Sequence, residues 1–367
     1  MWNRFHKKYI SQLINVRDAF TLIWNRFHIS MAYCFEMSEY MANISDVAKY
    51  ANVSVSTVSR YLNGKGYVGE KSRKAIEHAI QELNYVPNEV ARSLSTRQSD
   101  LIGLIIPDIK NPFFPELARA VEDTAFKYGY TVILCNSDEQ LEKEQHYLQA
   151  LTKKYVAGII ITSLFQYESN PISNIPVVAL DRPINMDIPT VTTNNIEGAK
   201  IGANHLIDCG ATKLLYMKGP VNITSSEERL EGYLQAIQGK GIESHLIESP
   251  FEFEAAEAIA FEYLQKNPSI NGIFASSDAS AIGAMKAALR LNKKVPEDLQ
   301  IVGFDGIQIG NVVTPTLTTV AQNIYELGET ATEMLIKQIE GKTLPCTSVY
   351  INPQLIERET TKKEHKR

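Results

Sequence analysis

The chain has 367 residues, 44% of them hydrophobic and 22% charged, which excludes a disordered or fibrous protein and is too long for one small core. Its formal charge of −5 is unevenly spread: residues 41–97 carry eight Lys/Arg against five Asp/Glu, residues 98–367 carry 24 against 34. A small basic head on an acidic body suits a head that meets a polyanion. No apolar run approaches a membrane span, and the four scattered cysteines (Cys34, Cys135, Cys209, Cys346) have neither metal nor redox spacing, which fits free thiols in a cytoplasmic protein.

Residues 1–40 hold the pentapeptide WNRFH at Trp2–His6 and again at Trp24–His28, with no shared apolar pattern around it. The expectation is a non-native extension of translated upstream DNA, with Met41 as the biological start.

From Ile44 the sequence predicts three helices. Ser45 caps the first, with Val47, Ala48 and Ala51 inward. Ser54 caps the second, 55–62, whose inner face is Val58 and Leu62, and Asn63-Gly64 ends it. The third, 70–83, buries Ala75, Ile76, Ala79, Ile80 and Leu83. This leaves Val55, Ser56, Thr57, Ser59 and Arg60 on the outer face of the second helix. Such a face suits a solvated helix of a three-helix bundle. It equally suits a helix in the DNA major groove, where short side chains let the backbone approach, Arg reads guanine or phosphate, and a methyl surface meets thymine.

Pro87 and Asn88 then open a predicted helix over 89–96, too short to be stable alone. Its Leu94 is either a small packing contact or an apolar wedge for a minor groove. From Leu101, apolar strands read at LIGLIIP, TVILCN, AGIIIT, PVVAL, KLLYMKG, NGIFAS and LQIVGFD. Amphipathic helices alternate with them at 115–128, 139–154, 196–209, 226–239, 255–265 and 279–291. Fully apolar strands spaced by helices predict parallel sheets covered on both faces, too many strands for one unit, and hence two α/β lobes. In such lobes ligands bind beyond the carboxyl ends of the strands. The polar residues standing there are Asn111 with Phe113 and Phe114, Asp181-Arg182, Asn194-Asn195, Ser277-Asp278, Asp305 and Gln322.

The pattern GKGYVG follows a helix and lies in no βαβ unit, so it reads as a turn. No GxSxG elbow, HExxH or Walker loop occurs, and no metal or cofactor is called for. The expectation is a protein that is not an enzyme.

The stretches ISDVAKYANVSVSTVSRYLN, ELNYVPNEVARSL, NPFF, VPEDLQIVGFDG and PTLTTVAQN resemble the LacI/GalR family of bacterial transcriptional repressors, over residues 41–361. The resemblance implies an all-α helix-turn-helix head (41–86), a hinge helix and linker (87–99), and a two-lobed core (100–361) like type I periplasmic sugar-binding proteins. A short tail (362–367) follows. It also implies a homodimer on a near-palindromic operator, controlled by a small-molecule effector of sugar type. Carried over by position, Val55, Ser56 and Arg60 read bases, and Ser54, Thr57, Ser59, Asn63 and Tyr67 lie near phosphates. Leu94, with Ala91 beside it, wedges the minor groove. Asn111, Phe113, Asp181, Asp305 and Gln322 surround the effector. Two departures from the pattern are Glu227, where the family commonly has Arg, and Ser277, where it commonly has Asn. Glu227 disfavours an anionic effector, leaves that role to Arg229, or marks an effector that differs from the usual sugars.

The function so implied is an operator-binding repressor of a carbohydrate operon. The alternatives are a global regulator controlled by a protein co-effector and a sugar-binding protein with no regulatory role.

Overall fold

The computed structural model describes residues 42–64, 66–86, 99–167, 175–184, 187–221 and 223–362. They fall into two compact units that divide near residue 92. The extension (1–40), the segment expected as a hinge helix with Ala91 and Leu94, the side chain of Asn63 and nearly all of the tail lie outside the described residues.

In the head, α1 (Ile44–Tyr50) is capped by Asn43 rather than Ser45. Asn43 Oδ1 accepts the N–H groups of Ser45 at 2.8 Å and Asp46 at 3.2 Å, and Asp46 Oδ2 accepts the Asn43 N–H at 3.0 Å. The reciprocal pair satisfies two free donors together, which a lone Ser at 45 cannot do. Asn52, at φ +53, turns the chain, and Ser54 caps α2 (Val55–Asn63) through the Thr57 N–H. Gly64 ends α2 at φ +63, a backbone region open to glycine. With α3 (Glu70–Glu82), these helices close a core of Val47, Ala48, Ala51, Val58, Ile76 and Ala79, to which Tyr85 adds a ring from beyond α3. The Tyr61 hydroxyl, donating to Glu77 at 3.0 Å, ties α2 to α3.

The second unit runs β1 (Leu101–Ile106), α4 (Phe113–Lys127), β2 (Thr131–Asn136), α5 (Leu141–Lys153), β3 (Gly158–Ile161), β4 (Val177–Leu180) and β5 (Thr190–Thr193). Next come α6 (Asn195–Asp208), β6 (Lys213–Lys218), α7 (Thr224–Ile237), β7 (Glu243–Glu248), α8 (Phe253–Lys266), β8 (Gly272–Ala275), α9 (Asp278–Arg290) and β9 (Gln300–Asp305). A 3-10 turn (Gln308–Asn311), β10 (Thr318–Ala321), α10 (Ile324–Ile339), β11 (Ser348–Ile351) and β12 (Gln354–Ile356) complete it.

Among the described residues two six-stranded sheets result, in the orders β11-β5-β4-β3-β1-β2 and β12-β10-β9-β8-β6-β7. Their paired strands are parallel except β12, antiparallel to β10. In β1, Leu104 stands between Leu134 of β2 and Ile160 of β3. Each sheet is covered on both faces. Leu117 and Val121 of α4 pack with Leu327 and Leu335 of α10 on one side of the first sheet, and Leu148 and Leu151 of α5 on the other. Alanines of α8 and α9 line one side of the second sheet, while α6 and α7 line the other. The chain passes between the lobes after β5, β10 and β11, so each lobe is discontinuous in sequence.

All seven apolar runs are strands. The sequence reading did not include β5, β7, β10, β11 or β12. β5 and β10 are threonine-rich yet buried along their length. Threonine is β-branched and fits a pleated sheet, and its hydroxyls find local partners: Thr190 donates to the Ile188 carbonyl and Thr192 to the Asp181 carbonyl.

Candidate functional site

Two surfaces gather the residues singled out from sequence. On α2, Ser54, Val55, Ser56 and Arg60 are exposed, Thr57 and Ser59 half-buried, and Tyr67 beyond the helix is 89% exposed. The Ser54 hydroxyl lies 2.8 Å from those of Ser56 and Thr57, so the cap and its neighbours form one polar edge. Val55 is 44% exposed at the first helical position. Arg60 has no hydrogen-bond or ion-pair partner among the described residues, and its stem passes 3.4 Å from where a Cβ on Gly66 would be. This edge offers hydroxyls, a methyl pair and a guanidinium without a bulky side chain, so the helix backbone can come close to a groove floor.

The second site is a cleft of about 290 Å³, open to solvent, between the two lobes. The first lobe supplies Asn111, Phe113, Phe114, Asp181 and Arg182; Ser225, Arg229, Phe251, Ser277, Asp305 and Gln322 complete the lining. Apart from Arg229, in the second turn of α7, these residues follow strand ends or begin helices, because a parallel sheet directs every strand's carboxyl end to the same side. Asn111 Oδ1 accepts the Phe113 N–H at 3.1 Å and holds the turn into α4. Phe113 and Phe114 meet edge to face, with ring centres 5.2 Å apart.

Asp181 and Asp305 both leave their strands at positive φ, +69 and +121. Such backbone costs about 1–3 kcal/mol per residue and persists where the surroundings enforce it, commonly at ligand sites. Arg182 is buried; its Nε lies 3.3 Å from Asp181 Oδ2, yet neither Nε nor Nη1 has a hydrogen-bond partner among the described residues. Burial pushes its pKa down, partly offset by Asp181. Buried donors left unmet need acceptors, which ordered water or a ligand in the adjoining cleft can supply.

Arg229 is clamped. Its Nε donates to Asn195 Oδ1 at 2.9 Å and its Nη1 to the Ser276 carbonyl at 2.6 Å, with Asp305 Oδ1 at 3.4 Å. Its guanidinium lies 3.8 Å above the centre of the Phe304 ring. Gln322 Nε2 donates to Asp305 Oδ1 at 2.6 Å, and its Oε1 accepts the Thr193 hydroxyl at 2.8 Å. Burial raises the Asp305 pKa to about 6, against the lowering pull of Arg229. The Ser277 hydroxyl caps α9 by accepting the Ser280 N–H at 3.1 Å.

Glu227 is not part of the lining. Its carboxylate accepts from Lys218 Nζ at 2.6 Å and is 50% exposed. Residues two apart on a helix lie about 200° apart around the axis, so Arg229 faces the cleft and Glu227 faces away. The acid therefore does not line the cleft. Ser225 and Phe251 were missed from sequence. Phe251 follows β7, whose alternating polar pattern hid it as a strand, and Ser225 sits at a helix start with no marked pattern.

The cleft thus combines carboxylates (Asp181, Asp305) and guanidinium groups (Arg182, Arg229) with phenylalanine rings. Each hydroxyl of a small polyhydroxy ring both donates and accepts, and its C–H faces suit aromatic rings.

Comparison with known proteins agrees. Residues 43–88 match the family "Bacterial regulatory proteins, lacI family", and residues 99–363 match "Periplasmic binding proteins and sugar binding domain of LacI family". The chain is 51% identical to a ribose operon repressor of Halalkalibacterium halodurans, over 88% of this chain and 98% of that protein. Among solved structures, a periplasmic binding protein/LacI transcriptional regulator from Alkaliphilus metalliredigens, complexed with D-xylulofuranose, is 36% identical with a TM-score of 0.67. It covers 72% of this chain and 100% of that one. The lac repressor dimer bound to operator and the anti-inducer ONPF is 26% identical with a TM-score of 0.78, over 87% and 98%. The chain belongs to the LacI family of bacterial regulatory proteins, a DNA-binding helix-turn-helix head carried with a two-lobed sugar-binding-type core, the architecture of an effector-controlled transcriptional repressor.

Proposed function

We propose that the chain, as a cytoplasmic homodimer and not an enzyme, represses a pentose-utilisation operon, with D-ribose in the cleft setting its affinity for a near-palindromic operator. The observation that carries the effector side is a cleft that brings the carboxylates of Asp181 and Asp305, the guanidinium groups of Arg182 and Arg229 and the rings of Phe113 and Phe114 together. The name of the 51% identical relative supports ribose as the pentose. On the DNA side, α2 reads bases through Val55, Ser56 and Arg60, while Ser54, Thr57, Ser59, Asn63 and Tyr67 meet phosphates. Leu94 and Ala91 act at the operator centre. Effector shifts operator affinity only through unequal affinity for two lobe arrangements.

The test is selection of duplexes from a random library by the purified chain, with and without D-ribose, at two salt concentrations. A recovered near-palindrome whose affinity changes with D-ribose is expected. No sequence preference under any condition overturns the proposal. On the selected operator, Arg60→Ala is expected to lose about 1–3 kcal/mol of binding, roughly fivefold to 150-fold, with D-ribose affinity unchanged.

D-ribose affinity is also expected to depend on pH through Asp305. With its pKa near 6, the carboxylate fraction falls from about 0.9 at pH 7 to about 0.1 at pH 5. Calorimetry should then show about a tenfold weaker affinity at pH 5, if the ionised form accepts the ligand's hydroxyls. An ordinary aspartate stays ionised over this range, so a flat profile would remove Asp305 from the role.

A further inference from the structure

Directly behind Asp305 lies a second acid, which does not itself line the cleft. Asp278, at the start of α9, is completely buried. Its Oδ2 accepts the Gly306 N–H at 2.8 Å and the Ile307 N–H at 2.9 Å, and its Oδ1 accepts the Thr319 hydroxyl at 2.5 Å. In return, the Asp278 N–H donates to Asp305 Oδ2 at 3.4 Å. The contact is tight on every side: a Cβ on Gly303 would meet Asp278 Oδ1 at 2.2 Å, and one on Gly306, at φ +81, would meet Ala321 Cβ at 2.5 Å. Burial and the neighbouring Asp305 carboxylate push the Asp278 pKa well up, so a neutral isostere costs this position little charge.

The segment held in this way spans two lobes. Asp305 points at the cleft. Two residues on, Ile307 is buried in the core of the first lobe with Phe113, Phe114 and Leu117. The Gln308 N–H then donates to Glu116 Oε1 of α4 at 2.8 Å. Four consecutive residues thus run from the cleft carboxylate of one lobe into the hydrophobic core of the other.

We propose that Asp278 is a positioning residue: it locks the 305–308 turn so that the carboxylate presented to the effector and the docking of Ile307 and Gln308 on the first lobe move as one body, coupling effector occupancy to lobe arrangement. The coupling rests on the effector reading above; the locking of the turn does not. With the two backbone donors released, Asp305 and the first-lobe contact become independent, and a ligand held by Asp305 no longer biases the lobes.

Two measurements on the full chain test this. The first, without effector, is hydrogen exchange at Gly306, Ile307 and Gln308 in wild type, Asp278→Asn and Asp278→Ala. The carboxamide keeps an oxygen for both backbone donors and turns its NH2 toward the Thr319 oxygen, so D278N should keep wild-type protection while D278A exchanges at least tenfold faster. The second is the ratio of operator affinities with and without D-ribose, in the same variants and in Glu116→Ala, which cuts the far end of the turn outside the cleft. D278A and E116A are expected to lower that ratio at least fivefold, and D278N to stay within twofold of wild type. Unchanged exchange in D278A, or D278N as damaged as D278A, overturns the locking; an unchanged ratio in E116A overturns the coupling. If the wild type itself ignores D-ribose, the pentose reading falls, and the exchange experiment still decides the role of Asp278.

Discussion

Arg229→Ala is expected to abolish measurable D-ribose binding and to lower the stability of the core by about 3–5 kcal/mol, the cost of leaving a buried partner charge uncompensated. Several losses combine. Asn195 Oδ1 and the Ser276 carbonyl lose their donor, both in buried surroundings where an unmet acceptor costs about 1–3 kcal/mol. Asp305 loses the cation that opposes its desolvation, so its carboxyl protonates at higher pH. The Phe304 ring loses the guanidinium stacked on it. Arg229→Lys is expected to recover little, because an ammonium cannot make the planar set of bonds that the guanidinium makes here. Denaturant melts and calorimetry on the full chain would show both effects. A melt within about 1 kcal/mol of wild type would mean that the clamp contributes little to the native state.

Gly232→Val is expected to destabilise the second lobe by about 3 kcal/mol or more, with Gly232→Ala somewhat milder. A Cβ at this position would lie 2.2 Å from the Ile196 carbonyl oxygen and 2.9 Å from Ala199 Cβ, so it meets helix backbone that no side-chain rotation can clear. Alanine's better helix propensity recovers about 1 kcal/mol, less than the overlap costs. The helices α6 and α7 have to separate, and the damage reaches the cleft. Arg229 precedes Gly232 by three residues and lies on the same face of α7, so its reach to Asn195 and Asp305 lengthens. Thermal melting about 6–12 °C below wild type is expected for a 3 kcal/mol loss in a core of this size, with weaker D-ribose binding in the fraction that remains folded. A Gly232→Val protein that melts with wild type would show that the two helices do not pack this closely.

The parts of this protein set by short-range physics were legible without coordinates. The stripes of α1 to α3, the Ser54 cap, the Gly64 stop and the seven apolar strands each follow from periodicity, capping or burial within about a dozen residues. The same rule located Asn111, Asp181, Asp305 and Gln322, since polar residues at the ends of parallel strands converge wherever the strands are laid side by side. Local competition between candidates was harder: Asn43 and Ser45 both can cap, and only the return bond from Asp46 decides between them.

What the tertiary structure alone decided joins residues far apart in the chain. Thr193 and Gln322 are 129 residues apart and share a hydrogen bond, and Gln308 meets Glu116 across 192. The facing of Arg229 over Glu227, the open donors of Arg182 and the grip of Asp278 on the 305–308 turn depend on which helix or strand end packs opposite. A sequence window carries the period of a helix or strand but not the identity of its neighbour, so it locates the residues that can form a site and leaves their pairing to the packed lobes.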